Sequence, residues 1–501
     1  MHLNLGSILL ANANEMPEAT VLRAGDLELT YGALHRAACG VAASLRARGI
    51  SPGDKVALLV PNVPEFTIAY FGILYAGATV VPINVLAAAP EVTYYLKDSD
   101  ARLLIVHPLF EEPGRKGAKP LSVPIILAIA DKGEDTIGGM AKCVPIDGLH
   151  PTSPQDTAVF LYTSGTTGKP KGAELTHSNL LLNCAVVAPK LMPPSTTGHR
   201  ALATLPLFHS FGQTVIQNGM IANGGSFTLL ARFTPEDALE LIERDRLTIF
   251  AGVPTMYFAL LHHDADREYD VSSLEICMTG GAPMPVEVMK SFQEKFSVEV
   301  FEGFGLSETS PISSFHVPGK PRSAGSIGYP VWGVEMCIVN DADEALPDDE
   351  RGEICIRGHN VMKGYLNSPD ATKETLRNGW FHSGDIGLRD SDGCYWIVDR
   401  KKDMILRGGF NVYPREVEEV LYQHEDVVEA AVIGVPHESH GEEVKAVVAL
   451  TKGAKASAED LKTFCKERLA AYKYPRIVEI IAELPKGPTG KILKRELRDD
   501  G

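Results

Sequence analysis

Thr163-Ser164-Gly165-Thr166-Thr167-Gly168-Lys169-Pro170-Lys171-Gly172 is the stretch around which the chain is organised. It follows Thr157-Ala158-Val159-Phe160-Leu161-Tyr162, an apolar, β-prone run that reads as a buried strand. Its ten residues hold three glycines, four hydroxyls and two lysines. Glycine lets a backbone turn several N–H groups toward one point, hydroxyls add neutral donors, and lysines add positive charge. A flexible surface turn needs no such density of donors; the tail of a nucleoside triphosphate does. A Walker-type loop is excluded by spacing, since it needs four residues between its glycines and then Lys followed by Ser or Thr. Here two residues separate Gly165 from Gly168, and Pro170 follows Lys169. Proline disfavours helical geometry in the residue before it, so no helix runs on directly from that lysine.

The 501 residues exceed one hydrophobic core and imply at least two domains. With 45% hydrophobic and 22% charged residues, the composition is that of an ordinary soluble globular protein. A net charge of −16 argues against nucleic acid or an anionic membrane as the main partner. The eight cysteines are scattered without a C-x-x-C pair, which fits reduced thiols in a cytoplasmic protein better than a disulfide framework or a zinc site. Met1 to Ala13 has no basic residues ahead of its apolar stretch, so no signal peptide is expected, and no apolar run reaches membrane-spanning length.

Strand and helix patterns alternate from the N-terminus. Leu29-Thr30-Tyr31 leads into a helix ending near Gly49, 55–60 reads as a buried strand, and a helix runs from about Pro64 to Tyr75. A strand at 80–83, a helix at 90–96 and a strand at 102–106 continue a βαβ rhythm that predicts parallel sheets covered by helices. Residues 108–150 show little periodicity and read as connection and peripheral structure. Beyond the glycine loop, a helix is expected from Thr176-His177 to about residue 188, with strands near 202–206, 250–253 and 275–279. From about 325 to 400 short strands between Gly and Pro turns predict a β-rich subdomain. The charge cluster Asp399-Arg400-Lys401-Lys402-Asp403 then reads as a linker. Past it come a helix from Pro414 to about Gln423, strands at 428–435 and 443–450, a helix from the Ser457/Asp460 capping box to Tyr472, and a strand at 476–482. The division expected is residues 1–399, a hinge at 400–402, and a small α+β domain over 403–501.

Four further stretches carry side chains suited to chemistry. Glu302-Gly303-Phe304-Gly305-Leu306-Ser307-Glu308 joins an aromatic face, a hydroxyl and a carboxylate able to hold Mg²⁺. Gly379-Trp380-Phe381-His382-Ser383-Gly384-Asp385 sets an acid on a turn, where it could accept both hydroxyls of a ribose. Pro488-Thr489-Gly490-Lys491 places a lysine in a loop, and Phe208-His209 precedes a helix. Alone, the first reads equally well as a common Gly-Phe-Gly turn, while the other three read more readily as an ordinary tight turn, a solvated lysine and core packing.

Taken together in this order, these stretches resemble the adenylate-forming acyl-CoA synthetases, a superfamily that includes luciferases, 4-coumarate ligases and the adenylation domains of peptide synthetases. The resemblance runs from Leu29-Thr30-Tyr31 and Gly53-Asp54-Lys55-Val56-Ala57 to Gly490-Lys491-Ile492. The glycine loop, Ser383-Gly384-Asp385, Asp399-Arg400, Gly408-Gly409-Phe410-Asn411-Val412-Tyr413-Pro414 and Thr489-Gly490-Lys491 each match. It implies an α/β fold, with a large N-terminal domain of βαβ subdomains and a smaller β-rich subdomain, plus a small mobile α+β C-terminal domain. It also implies ATP, Mg²⁺ and CoA as cofactor and co-substrates.

By that resemblance Thr163, Ser164, Gly165, Thr166, Thr167, Gly168, Lys169 and Lys171 hold the β- and γ-phosphates, and Ser307, usually Thr in the family, contacts the α-phosphate. Thr163 and Glu308 bind the metal. Gly281, Ala282 and Pro283 line the adenine with Gly303, Phe304 and Gly305, where Phe304 replaces the more usual Tyr. Asp385 and Arg400 take the ribose, and Lys491 bridges the carboxylate and α-phosphate. His209, Phe211, Gln213, Thr214, Gly280 and Gly303 line the acyl pocket, with His209 at its carboxylate end. Lys402 is the hinge residue, and Gly408 and Gly409 approach the thiol of CoA. The apolar run from Phe208 to Val215 points to a medium- or long-chain fatty acid; an aryl acid stacked on Phe211 is the alternative. The expected partners are a small carboxylic acid, ATP and CoA, with a carrier-protein phosphopantetheine as alternative acceptor and a homodimer as assembly. A different class, a nucleotide- or acyl-binding protein without catalysis, is opposed by Lys491, Glu308 and Asp385.

Overall fold

The computed structural model describes residues 2–146, 148–163, 169–192, 195, 198–264, 266–437, 439–487 and 490–499. Ser164–Gly168, the centre of the glycine loop, and Pro488 and Thr489 therefore lie outside the described residues.

Two helix-covered sheets make up most of the N-terminal part. The first runs, in spatial order, Ile125–Leu127, Ala101–Val106, Lys55–Leu59, Thr79–Pro82, Thr157–Thr163 and Lys171–Thr176. Its first five strands are parallel, and the last turns back antiparallel. Val56 to Leu59 are buried on both faces, as a parallel strand between helix layers demands. The second sheet runs Val300–Glu302, Ile276–Thr279, Ile249–Gly252, Arg200–Ala203, Ser226–Leu229, Thr20–Ala24 and Leu27–Thr30, parallel up to its final hairpin.

Local sequence fixes the flanking helices. Thr30 caps helix Tyr31–Ala47 by accepting the Ala33 N–H at 3.2 Å. Helix Pro64–Ala76 starts on proline and stops at Gly77, whose φ of +81° suits a residue without a β-carbon.

Beyond residue 325 a five-stranded antiparallel sheet forms from Val334–Val339, Gly352–Gly358, Leu376–Arg377, Trp380–Arg389 and Tyr395–Arg400. The C-terminal part has its own sheet, with Val427–His437 and Gly441–Leu450 at its centre. It also has its own core around Ile405, Val417, Leu421, Val432, Val444 and Leu461. The architecture is thus α/β, with a large N-terminal domain and a small C-terminal one.

Three expectations need correction. Residues 108–150 are not mere connection: Glu111–Ala118 is a helix and Ile125–Leu127 is the edge strand of the first sheet. A three-residue strand is too short to carry a periodic signal. The helix from His177 is α-helical only to Leu181 and π-wound over Leu182–Val187, and Phe211–Asn218 is π-wound as well. Helix Ala458–Arg468 ends short of Tyr472; its capping box forms as expected, with Ser457 accepting the Asp460 N–H at 3.2 Å.

Candidate active site

The strand that opens the glycine loop ends at Thr163, and Lys171 stands opposite it in the returning strand. A strand rather than a helix therefore follows Lys169-Pro170, which bears out the exclusion of a Walker-type loop. The Thr163 hydroxyl donates to Glu308 Oε1 at 2.9 Å. The Tyr365 hydroxyl donates to the same oxygen at 2.9 Å, and Lys171 Nζ lies 5.4 Å from the centre of the Tyr365 ring.

Glu308 sits in the short helical turn Ser307–Thr309, and its backbone carbonyl accepts the Met362 N–H at 2.8 Å. Gly305 leads into that turn at a point where any β-carbon would overlap the Pro311 carbonyl oxygen. Ser307 is half-buried beside it, and Phe304 is buried at 8% exposure. Carboxylate and hydroxyl oxygens are the donors Mg²⁺ prefers, and it takes few protein ligands, leaving its other positions to water and phosphate. Glu308 and Thr163 fit such an ion. Among the described residues, no group of three or more His, Cys, Asp or Glu is arranged for a metal.

Asp385 and Arg400 face each other across two antiparallel strands, with Arg400 Nε 3.0 Å from Asp385 Oδ1. The other carboxylate oxygen, Oδ2, is buried without a hydrogen-bond partner. An orphaned buried acceptor costs about 1–3 kcal/mol, so this oxygen suits a ligand hydroxyl. Burial pushes the Asp385 pKa up, opposed by the charges of Arg400 and Lys491. Asp385 in turn holds the Arg400 guanidinium above its ordinary value.

Lys491 comes from the C-terminal domain into this cluster. A β-carbon on Gly281, whose φ is +81°, would stand 3.2 Å from Lys491 Cε and 3.6 Å from Nζ. The preceding residue is tied down as well: the Thr255 hydroxyl donates to the Gly490 carbonyl at 3.1 Å. Burial and the Arg400 charge bring the Lys491 pKa down to about 8, while Asp385 and Glu308 pull the other way.

His209 precedes the π-wound segment Phe211–Asn218 by two residues, and its backbone carbonyl accepts the Gln213 N–H at 3.0 Å. Burial, then the Lys491 charge, bring its pKa down to about 3, so it is neutral near pH 7. A β-carbon on Gly280 would lie 3.1 Å from the Gly303 carbonyl oxygen and 3.4 Å from Phe211 Cε1. These two glycine backbones and one ring therefore form a narrow slot. Gln213 and Thr214 are fully buried; Gln213 donates to the Leu207 carbonyl at 3.1 Å, and the Thr214 hydroxyl has no partner.

The structure thus brings Thr163, Glu308, Asp385, Arg400, Lys491, Gly281 and His209 into one electrostatic neighbourhood. Ala282 and Pro283 follow Gly281 on a partly exposed turn. Gly408 and Gly409 are not in that neighbourhood. They form an exposed hairpin turn with φ of +58° and +85°, where Gly408 donates to the His440 carbonyl at 2.8 Å. Lys402 is exposed on the turn between strands Tyr395–Arg400 and Ile405–Arg407.

Sequence reasoning missed Tyr365. Its only cue is that it follows Gly364 in a loop, and nothing in that pairing announces a carboxylate 57 positions away. It missed Arg415 too, which joins the domains: its N–H donates to Asp399 Oδ2 at 2.8 Å and its guanidinium to the Ile397 carbonyl at 2.7 Å.

Residues 9–366 match the family described as AMP-binding enzyme, and residues 416–491 match the AMP-binding enzyme C-terminal domain. A long-chain-fatty-acid–CoA ligase of Bacillus subtilis (strain 168) is 38% identical, over 99% of this chain and 94% of its own. A feruloyl-CoA synthase of an Amycolatopsis species is 39% identical, over 99% of this chain and 98% of its own. Among solved structures, an anthranilate CoA ligase in complex with anthranoyl-AMP superposes with a TM-score of 0.94 at 31% identity. That superposition covers 100% of this chain and 97% of the other.

Proposed function

The chain belongs to the adenylate-forming AMP-binding enzymes, as an ATP-dependent acid–CoA ligase, and on that premise we propose how its residues divide the reaction. A carboxylate is a poor acyl donor, because its carbonyl carbon is shielded by negative charge and its leaving group would be oxide. Attack of the substrate carboxylate on the α-phosphate of ATP gives a mixed anhydride and releases pyrophosphate; the thiol of CoA then displaces AMP. The first step needs no general base, so positioning and charge neutralisation do most of the catalysis.

One observation carries the assignment: Lys491, drawn from the other domain, lies against Gly281 in the field of Asp385, Arg400 and Glu308. There its ammonium neutralises charge building between carboxylate and α-phosphate. The unpartnered Asp385 Oδ2, with Arg400, takes the ribose. Thr163 and Glu308 hold Mg²⁺, which when bound offsets phosphate charge, and Tyr365 fixes the carboxylate that would hold it. Lys169 and Lys171 hold the departing pyrophosphate. Ser307 contacts the α-phosphate, and Phe304 with Gly281, Ala282 and Pro283 frames the adenine. The proposed hinge is 400–402, with Lys402 as the hinge residue, and rotation about it withdraws Lys491 and brings Gly408-Gly409 to the thiol.

A pH limb follows. Lys491 carries its proton below about pH 8 and loses it above. kcat/KM for acyl-adenylate formation, which reports free-enzyme groups, is expected to fall as the pH rises through about 8. Lys491→Arg cannot lose its proton and should flatten that limb. A limb unchanged in Lys491→Arg assigns it to another group. His209, neutral at these pH values, does not produce it.

The acid is proposed to be a medium- or long-chain fatty acid, supported by the apolar side chains of Phe208, Phe211 and Val215. An aryl acid is a second reading, favoured by the Phe211–Gly280–Gly303 slot and by the unpartnered Thr214 hydroxyl. Thioester formation with CoA over a panel of saturated fatty acids and hydroxylated aryl acids tests the choice. Fatty acids should give the higher kcat/KM. A preference for hydroxylated aryl acids that Thr214→Val abolishes would replace the first reading by the second.

A further inference from the structure

The five-stranded antiparallel sheet carries a pair of thiols that the ligase reaction does not use. Cys337 and Cys355 stand directly opposite each other in adjacent antiparallel strands. Residues so placed share a sheet face with α-carbons about 4.5–5.5 Å apart, inside the range of about 4.4–6.8 Å that a disulfide spans. Each thiol acts on the other, Cys337 being held down in pKa and Cys355 up. Both are free, Cys337 half-exposed and Cys355 fully buried, so an oxidant from solvent meets Cys337 first.

The buried partner leads to the nucleotide site. Cys355 Sγ lies 3.3 Å from Nδ1 of His382, which precedes Ser383-Gly384-Asp385. His382 Nδ1 is 3.6 Å from Glu353 Oε2, and Glu353 Oε1 accepts the Gly384 N–H at 3.0 Å. Glu353 Oε2 also lies 3.8 Å from Lys401 Nζ, beside the hinge residue Lys402. A short polar relay thus runs from the thiol pair to the turn that presents Asp385.

We propose that Cys337 and Cys355 are a peroxide-oxidised dithiol whose disulfide weakens ATP binding by releasing His382 and Glu353 from their grip on the Gly384–Asp385 turn. The Cys337 thiolate attacks hydrogen peroxide and breaks its O–O bond. This gives Cys337 sulfenic acid and a hydroxide, which leaves as water with the thiol's proton. The Cys355 sulfur then attacks the Cys337 sulfur, the S–S bond forms, and a second water departs carrying the Cys355 proton. Two thiols are oxidised by two electrons in all, and one peroxide is reduced to two waters. The order of events agrees with the charges: the Cys355 thiol, with Arg357 and Arg389 nearby, holds the Cys337 thiol below its ordinary pKa. The Cys337 sulfur and burial hold Cys355 above its own.

The coupling to ATP rests on the ribose reading of Asp385; the thiol chemistry does not. The full-length protein is treated with hydrogen peroxide, its thiols are counted, its proteolytic peptides are weighed, and the KM for ATP is measured in pyrophosphate exchange. The expected result is a peptide pair joined through Cys337 and Cys355 with two hydrogens lost, and a several-fold rise in KM for ATP that dithiothreitol reverses. Cys337→Ser should keep its KM under peroxide, whereas Cys143→Ser, which removes an exposed thiol far along the chain, should behave as the parent. Oxidation at Cys143 with Cys337 and Cys355 still reduced would overturn the dithiol. A formed disulfide with an unmoved KM would overturn the relay, and an unmoved KM in unoxidised Asp385→Ala would instead overturn the ribose reading.

Discussion

Lys491→Ala is expected to lower acyl-adenylate formation by about 10²–10³-fold, the roughly 2.7–4 kcal/mol that one preorganised electrostatic stabiliser supplies. The effect is large because nothing else replaces the ammonium. Arg400 is engaged with Asp385, and His209 is held neutral. The loss should fall on one half-reaction only. Given pre-made acyl-adenylate and CoA, the variant should form thioester at close to the parent rate, because in the proposed rotation that step proceeds with the lysine withdrawn. The measurement is acid-dependent pyrophosphate exchange beside thioester formation from synthetic acyl-adenylate. Equal losses in both would mean that Lys491 supports the fold of the site rather than the chemistry of adenylation.

Lys402→Pro should give the opposite partition. Proline fixes φ near about −65°, and Lys402 is exposed on the turn between two strands that belong to different domains. The adenylating arrangement, with Lys491 beside Gly281, does not require that turn to move, so pyrophosphate exchange should be retained. In the proposed rotation, thioester formation requires Gly408-Gly409 to leave their exposed position for the acyl carbon. A barrier raised by about 1.4 kcal/mol costs tenfold in rate, and a loss of at least about tenfold is expected. Thioester turnover equal to the parent's would contradict a required rotation. Among the described residues, the contacts that rotation would break include Arg415 to Asp399 and Ile397, Glu419 to the Val286 N–H at 3.4 Å, Thr255 to Gly490, the Arg351 guanidinium over the Tyr413 ring, and Tyr422 against the N-terminal core.

Most of the scaffold was readable because its periodicities are strong. Lys55–Leu59 and Ala101–Val106 are apolar runs of strand length, and Tyr31–Ala47 and Pro64–Ala76 carry their stop and start residues in plain view. The π-wound segments were not readable. A π-turn differs from an α-turn by one residue per hydrogen-bonded ring, which side-chain pattern does not encode. In the site, glycine-rich stretches announced Thr163, Glu308, Asp385 and Lys491 because close backbone approach needs glycine. Gly281, beside the Lys491 side chain, and Gly305, against the Pro311 carbonyl, show the reason directly. Tyr365 and Arg415 remained hidden, since each acts through contacts to residues that no local pattern links to it. The acid was the least legible feature. Its proposed pocket lies along the π-wound Phe211–Asn218 segment, and composition alone does not distinguish an alkyl chain from a ring.

Radiolabel exchange between pyrophosphate and ATP, with purified protein and Mg²⁺ but no CoA, tests the central claim most directly. Exchange should be absent without a carboxylic acid, appear when a fatty or aryl acid is added, and fall by about 10²–10³-fold in Lys491→Ala. Exchange that ignores the acid, or that survives intact without Lys491, would contradict the account.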